Sequence, residues 1–181
     1  LARYAALCQD EGIVPIIEPE VLMDGSHPLE TCFEVTRRTL ATVFAECFDQ
    51  RIDLPGALLK PNMVIPGKKC SSGRATPDQI AEATIACFLE VVPAAIPGIV
   101  FLSGGQSDEE ATANLDAINK RGPHPWEFSF SYGRALQSPA LQAWRGADAN
   151  LAAGQAAYAK RAKLNGLARD GKYEASMEIA A

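Results

Sequence analysis

Lys60 is the residue on which carbonyl chemistry could rest. It ends the apolar run Gly56-Ala57-Leu58-Leu59, and Pro61 follows it, lacking the N–H that would continue a strand ladder. Taken by itself, a lysine at a strand end is more often a solvated surface residue, because its long side chain carries the charge to water easily. Attack on a carbonyl needs the neutral amine, since an ammonium has no lone pair. Burial against apolar walls disfavours a charged amine, and Ala57, Leu58 and Leu59 would supply such walls. Such an amine forms imines with ketones and aldehydes.

Three other polar clusters stand at the ends of apolar runs. Glu18 and Glu20 flank Pro19 after Pro15-Ile16-Ile17. They read either as exposed carboxylates at a loop start or as an acid/base shuttling protons in imine chemistry, and the residues alone leave both readings open. Ser103-Gly104-Gly105-Gln106-Ser107 follows Val100-Phe101-Leu102 and precedes a helix signal. Glycines there let successive N–H groups converge on an anion, although a tight turn without ligand needs the same residues. Tyr132-Gly133-Arg134 repeats the arrangement one strand later and adds a guanidinium suited to bidentate phosphate contact. Two adjacent anion-friendly ends favour phosphate.

The elements that must position these residues alternate in period. Leu1, Tyr4, Ala5 and Cys8 share one helical face, and Gly12 ends that helix. Ile13 to Ile17 is a continuous apolar run broken only by Pro15, which predicts a strand covered on both faces, as in a parallel sheet. Phe33, Leu40, Phe44, Cys47 and Phe48 mark a long helix after the Asp24-Gly25 loop. Thr76-Pro77-Asp78-Gln79 and Ser107-Asp108-Glu109-Glu110 are capping boxes that open helices, the first with proline at the first helical position. Strands are predicted at 56–59, 98–102 and 127–131, and closing helices at about 135–143 and 148–168. Helices returning the chain to a parallel sheet give an α/β architecture. Glu18, Lys60 and Ser103 stand about 40 residues apart, a pacing that suits the (βα) units of a barrel. The 181 residues therefore read as a single domain, about the last four units of a (βα)8 TIM barrel, with 146–181 as a C-terminal helix and tail. The C-terminal ends of the strands are where such a barrel builds its active site, and that is where all four polar clusters fall.

Composition narrows the partners. The chain is 48% hydrophobic and 22% charged, an ordinary globular balance able to bury a core. A net charge of −5, with no basic cluster longer than Lys68-Lys69, argues against nucleic acid. No run approaches the ~20 apolar residues of a membrane span. Five cysteines without Cys-x-x-Cys spacing predict reduced thiols in a cytosol-like compartment, either small apolar core residues or incidental surface thiols. Two distant histidines are too few for a His/Cys metal centre, and His124 reads as part of a structured loop. No metal or cofactor is expected. The first residue is Leu rather than Met, so the start of a longer chain is expected to precede it.

Four blocks together resemble the class I, Schiff-base-forming fructose-bisphosphate aldolases. They are Ile13-Val14-Pro15-Ile16-Ile17-Glu18-Pro19-Glu20, Leu58-Leu59-Lys60-Pro61-Asn62-Met63-Val64, Phe101-Leu102-Ser103-Gly104-Gly105-Gln106-Ser107 and Phe130-Ser131-Tyr132-Gly133-Arg134-Ala135-Leu136. The resemblance runs from Leu1 to about Tyr173 and corresponds to the C-terminal half of such a protein. It implies that Lys60 is the imine-forming lysine, Glu18 the proton shuttle and Glu20 a supporting acid. It also implies that Ser103, Gly104, Gly133 and Arg134 hold the ketose phosphate, with Ser131 and Tyr132 beside them. The implied reaction is the reversible aldol cleavage of fructose 1,6-bisphosphate to dihydroxyacetone phosphate and glyceraldehyde 3-phosphate, in glycolysis and gluconeogenesis. The family further implies a cytoplasmic homotetramer.

Departures bound that expectation. An aspartate and two lysines that the family carries on its first four strands have no counterpart here. The sequence ends at Ala181 without the family's terminal tyrosine, whose place Tyr173 does not take. Four strands cannot close a barrel, so two open sheet edges are expected, and with them aggregation and loss of activity in this piece alone. Two other readings keep part of the chemistry. One is a different Schiff-base sugar-phosphate aldolase or transaldolase, and the other a non-catalytic phosphometabolite-binding fragment.

Overall fold

The computed structural model describes residues 1–71 and 73–179. Ser72, in the loop after Lys60, and Ala180 and Ala181, the end of the C-terminal tail, lie outside the described residues. Four strands, β1 (Ile16–Ile17), β2 (Leu58–Leu59), β3 (Gly98–Phe101) and β4 (Glu127–Phe130), form one parallel sheet in the order β1-β2-β3-β4. Among the described residues six α-helices accompany them: α1 (Ala2–Asp10), α2 (Leu29–Asp49), α3 (Pro77–Val91), α4 (Asp108–Lys120), α5 (Arg134–Trp144) and α6 (Leu151–Arg169). Strand order that follows chain order, with a helix in every crossover, is one wall of a (βα) barrel.

The helix starts follow local chemistry. The Thr76 hydroxyl accepts from the Gln79 amide at 3.3 Å while Gln79 Oε1 accepts from the Thr76 amide at 2.9 Å. Ser107 and Glu110 do the same at the head of α4, at 3.2 and 2.8 Å. Each box satisfies two amide donors that a helix start would otherwise leave unpaired.

The sheet packs against α3 through Phe88, Phe101 and Phe128, which are fully buried, with Trp126 beside them. Phe101 and Phe128 stack at 5.6 Å between centroids, and Trp126 meets Phe128 edge-on at 6.0 Å. Each such pair contributes about 0.5–1.5 kcal/mol beyond its buried area.

The first strand is shorter than its apolar run. Ile13 and Val14 are 58% and 61% exposed, and only Ile16 and Ile17 join the ladder as strand. Within β1, Ile17 is fully buried while Ile16 is 37% exposed, so the expected burial on both faces is met on one face only. Similarly, Gly56 belongs to a short 3-10 turn, Leu54–Gly56, and β2 begins two residues later. On α1 the buried positions are Ala2 and Ala5, while Leu1 and Tyr4 are exposed.

Cys32, Cys47 and Cys87 are core residues, Cys8 and Cys70 are half-buried, and no disulfide joins them. Burial raises the thiol pKa of all three core cysteines, that of Cys87 to about 12. Among the described residues, no helix is long and apolar enough to cross a membrane. No group of three or more His, Cys, Asp or Glu is placed there to hold a metal ion.

Candidate active site

Lys60 and Glu18 leave the sheet at the C-terminal ends of neighbouring strands. The Lys60 amide donates to the Ile17 carbonyl at 2.7 Å, extending the β1–β2 ladder one residue beyond the strands. That register puts both side chains on the same rim, where Lys60 Nζ lies 2.9 Å from Glu18 Oε1. The lysine side chain is 18% exposed and the glutamate 47%, so the amine is largely covered while the carboxylate reaches solvent. A nucleophilic amine and a carboxylate within hydrogen-bond reach are the two groups that imine formation requires.

Glu20 points elsewhere. A Cβ on Gly104 would stand 3.1 Å from Glu20 Oε1 and equally close to Leu102 Cδ1. A side chain at 104 would make this carboxylate and Leu102 give way by a few tenths of an ångström. Gly105 has φ +81°, and a Cβ there would meet Met23 at 2.7 Å, so this glycine makes the turn itself. The Gln106 amide closes the turn on the Ser103 carbonyl at 3.2 Å. Gln106 Oε1 in turn accepts from Asn114 Nδ2 at 2.6 Å, which ties the loop to α4.

On the next strand, the Ser131 amide donates to the Phe101 carbonyl at 3.1 Å and carries the ladder past β4. Gly133 and Arg134 then begin α5 with no side-chain cap, unlike α3 and α4. Arg134 is exposed and forms no ion pair among the described residues. Uncapped amides at a helix start together with an unpaired guanidinium suit a phosphate. The strand ends thus bring Lys60 to Glu18 and Glu20 to Gly104, and they set Ser131, Gly133 and Arg134 at the far end of the same rim. A hollow of about 590 Å³ lies away from Lys60, lined among others by Ile65, Ile80, Gln106 and Tyr173.

Two supports stand behind the rim, Tyr132 and Arg161, and of these Arg161 carried no signal in the sequence. Tyr132 is half-buried and packs edge-on against Phe130 at 4.2 Å between centroids. Burial pushes its hydroxyl pKa well up. On α6, Arg161 is 5% exposed and pairs with Glu178 at 2.6 Å. Glu178 also accepts from the Tyr173 hydroxyl at 3.0 Å, which makes Tyr173 part of a buried clasp on the C-terminal segment. His124 bonds the Ile118 carbonyl at 2.9 Å and packs against Phe128, a structural role as expected of its loop.

The family model for class I fructose-bisphosphate aldolase matches residues 1–181. The chain belongs to the class I fructose-bisphosphate aldolase family. Fructose-bisphosphate aldolase C from Homo sapiens is 54% identical over 179 residues, which cover 98% of this chain and 49% of that protein. A probable fructose-bisphosphate aldolase class 1 from Xanthomonas axonopodis pv. citri is 51% identical over 175 residues, covering 96% and 52%. Among solved structures, the aldolase from Plasmodium falciparum, crystallised with TRAP and a small-molecule inhibitor, superposes with a TM-score of 0.94 at 48% identity. It covers 96% of this chain and 50% of its own. The chain spans about half the length of the aldolases it matches, and the partial barrel wall is the corresponding half of their fold.

Proposed function

We propose that this chain carries the Schiff-base centre of a fructose 1,6-bisphosphate aldolase, with Lys60 as nucleophile and Glu18 as proton shuttle. The 2.9 Å approach of Lys60 Nζ to Glu18 Oε1 at adjacent strand ends is the observation that carries this reading. The Lys60 amine adds to the ketone of the sugar, and the Glu18 carboxyl protonates the departing hydroxyl, so that water leaves and an iminium remains. The Glu18 carboxylate, now ionised, takes the proton of the hydroxyl on the departing carbon, and the cation takes up the electron pair of the breaking carbon–carbon bond, releasing glyceraldehyde 3-phosphate. The enamine left behind is protonated and hydrolysed to dihydroxyacetone phosphate, which frees the lysine. Glu20 supports the acid/base pair from the Gly104 side. Ser103, Gly104, Ser131, Gly133 and Arg134 hold the ketose phosphate, for which the uncapped start of α5 and the unpaired Arg134 speak. The chemistry uses protein groups throughout and calls for neither metal nor organic cofactor.

The finer readings are 1–181 as one domain with its C-terminal helix and tail from 146, which rests on length and strand pacing; work in the cytoplasm, which rests on cysteine usage and the family; and a homotetramer, which rests on the family alone. The decisive experiment is borohydride trapping with dihydroxyacetone phosphate on this chain extended by its N-terminal half, followed by peptide mass mapping. A reduced adduct on the Lys60 peptide is expected, and Lys60→Met abolishes it. An adduct that survives Lys60→Met removes Lys60 from the mechanism.

A further inference from the structure

Asn62 is polar, two residues past the lysine, and 2% exposed. A buried amide must find partners for its oxygen and its nitrogen, and the partners it finds tell what it holds. Its Oδ1 accepts from the Val21 backbone amide at 2.9 Å, across 41 residues of sequence. Its Nδ2 donates to Thr36 Oγ1 at 3.1 Å and to the Met63 carbonyl at 3.0 Å. Thr36 lies on α2, the helix that connects the two strands, and is itself buried.

The Val21 contact stands immediately beyond Glu20. On the other side of the same turn, the Ile17 carbonyl immediately before Glu18 accepts from the Lys60 amide at 2.7 Å. Glu18-Pro19-Glu20 is therefore fastened at both ends to the strand that bears the lysine, once by backbone and once by Asn62. Glu18 is nearly half exposed and has little packing of its own to hold it in place. Its 2.9 Å approach to Lys60 depends on where this turn is anchored.

We infer that Asn62 is a positioning residue that fixes the Glu18–Glu20 turn against Lys60, so that the carboxyl meets the amine in the geometry proton transfer needs. A displacement of about 1 Å is enough to slow a positioned proton transfer about a hundredfold. The inference rests on the proposed roles of Lys60 and Glu18. It predicts that loosening the clamp slows imine formation and lowers kcat, while KM and affinity for an unreactive sugar phosphate stay the same.

The test uses the chain extended by its N-terminal half and compares Asn62→Ala with Thr36→Val. The second variant disturbs the same buried network but leaves the Val21 bond in place. Asn62→Ala is expected to slow single-turnover borohydride trapping at least tenfold with phosphate affinity within twofold of the parent, and Thr36→Val to trap at the parental rate. Trapping by Asn62→Ala within twofold of the parent overturns the inference, as does equal slowing by both variants. If Asn62→Ala does not fold, Asn62→Ser keeps a polar group in the buried site but stops short of Val21, and it is read by the same criteria. Absence of any adduct in the parent overturns the aldolase reading instead. The clamp is then judged by hydrogen exchange at the Val21 amide, which must accelerate in Asn62→Ala and not in Thr36→Val. Unchanged exchange overturns it.

Discussion

Arg134 carries its charge into solvent on the first turn of α5, with no carboxylate paired to it among the described residues. An arginine held for an anion is expected to be uncommitted in this way, because an existing ion pair would have to break before the ligand bound. Arg134→Ala should weaken binding of an unreactive sugar phosphate by about 1.5–3 kcal/mol, the usual loss for a charge-assisted hydrogen bond. Titration calorimetry reads that loss, and trapping at saturating substrate should proceed at the parental rate. Unchanged affinity would remove Arg134 from the phosphate site. The place of Lys60 and Glu18 at strand ends was legible in the sequence because each closes an apolar run, while their roles came only from the resemblance. The direction of Glu20 and the hold of Asn62 were not legible, since each depends on a partner about 40 or more residues away whose proximity only the folded sheet creates.

At the scale of the element, the helix starts were legible and the strand limits were not, for one physical reason. A capping box is closed within four residues, so Thr76–Gln79 and Ser107–Glu110 fold as their spelling predicts. A barrel strand ends where its neighbours stop pairing with it, and no local pattern records that. The Ser107 box also closes the loop that begins at Ser103, because the turn on Ser103 and the head of α4 are contiguous. Ser107→Ala should cost about 1 kcal/mol of stability, typical of a lost N-cap, measured as a lower urea midpoint at unchanged m-value. A midpoint equal to the parent's would mean that the amides at the head of α4 find other partners.

The whole molecule has one property set by its buried acids and another by its open edges. Burial raises the Cys87 thiol from its ordinary 9.0 to about 12, and the Tyr173 hydroxyl, buried beside Glu178, rises from 10.0 to about 12. Both groups keep their protons in the folded chain at pH values where the unfolded chain has lost them. Their contribution is therefore complete below about pH 9 and falls as pH rises toward 12, because there the unfolded state binds fewer protons. Thermal midpoints should be flat with respect to these groups from pH 7 to 9 and decline steadily above that, and Cys87→Ala should flatten the decline. The edges act at every pH. β1 and β4 are the outer strands of the sheet, and Ile13 and Val14 beside β1 are more than half exposed. Unpaired strand edges next to apolar side chains are templates for pairing with another chain. In the relatives this chain covers about half the length, and the other half of a barrel is what would cover both edges. Residues 1–181 alone should therefore associate with rising concentration in light scattering and give little imine trapping. Co-expression with the N-terminal half of a relative should restore both a defined mass and the adduct on Lys60. A monodisperse monomer from residues 1–181 alone would mean that the outer strands protect themselves, and that the half present in the relatives serves chemistry rather than solubility.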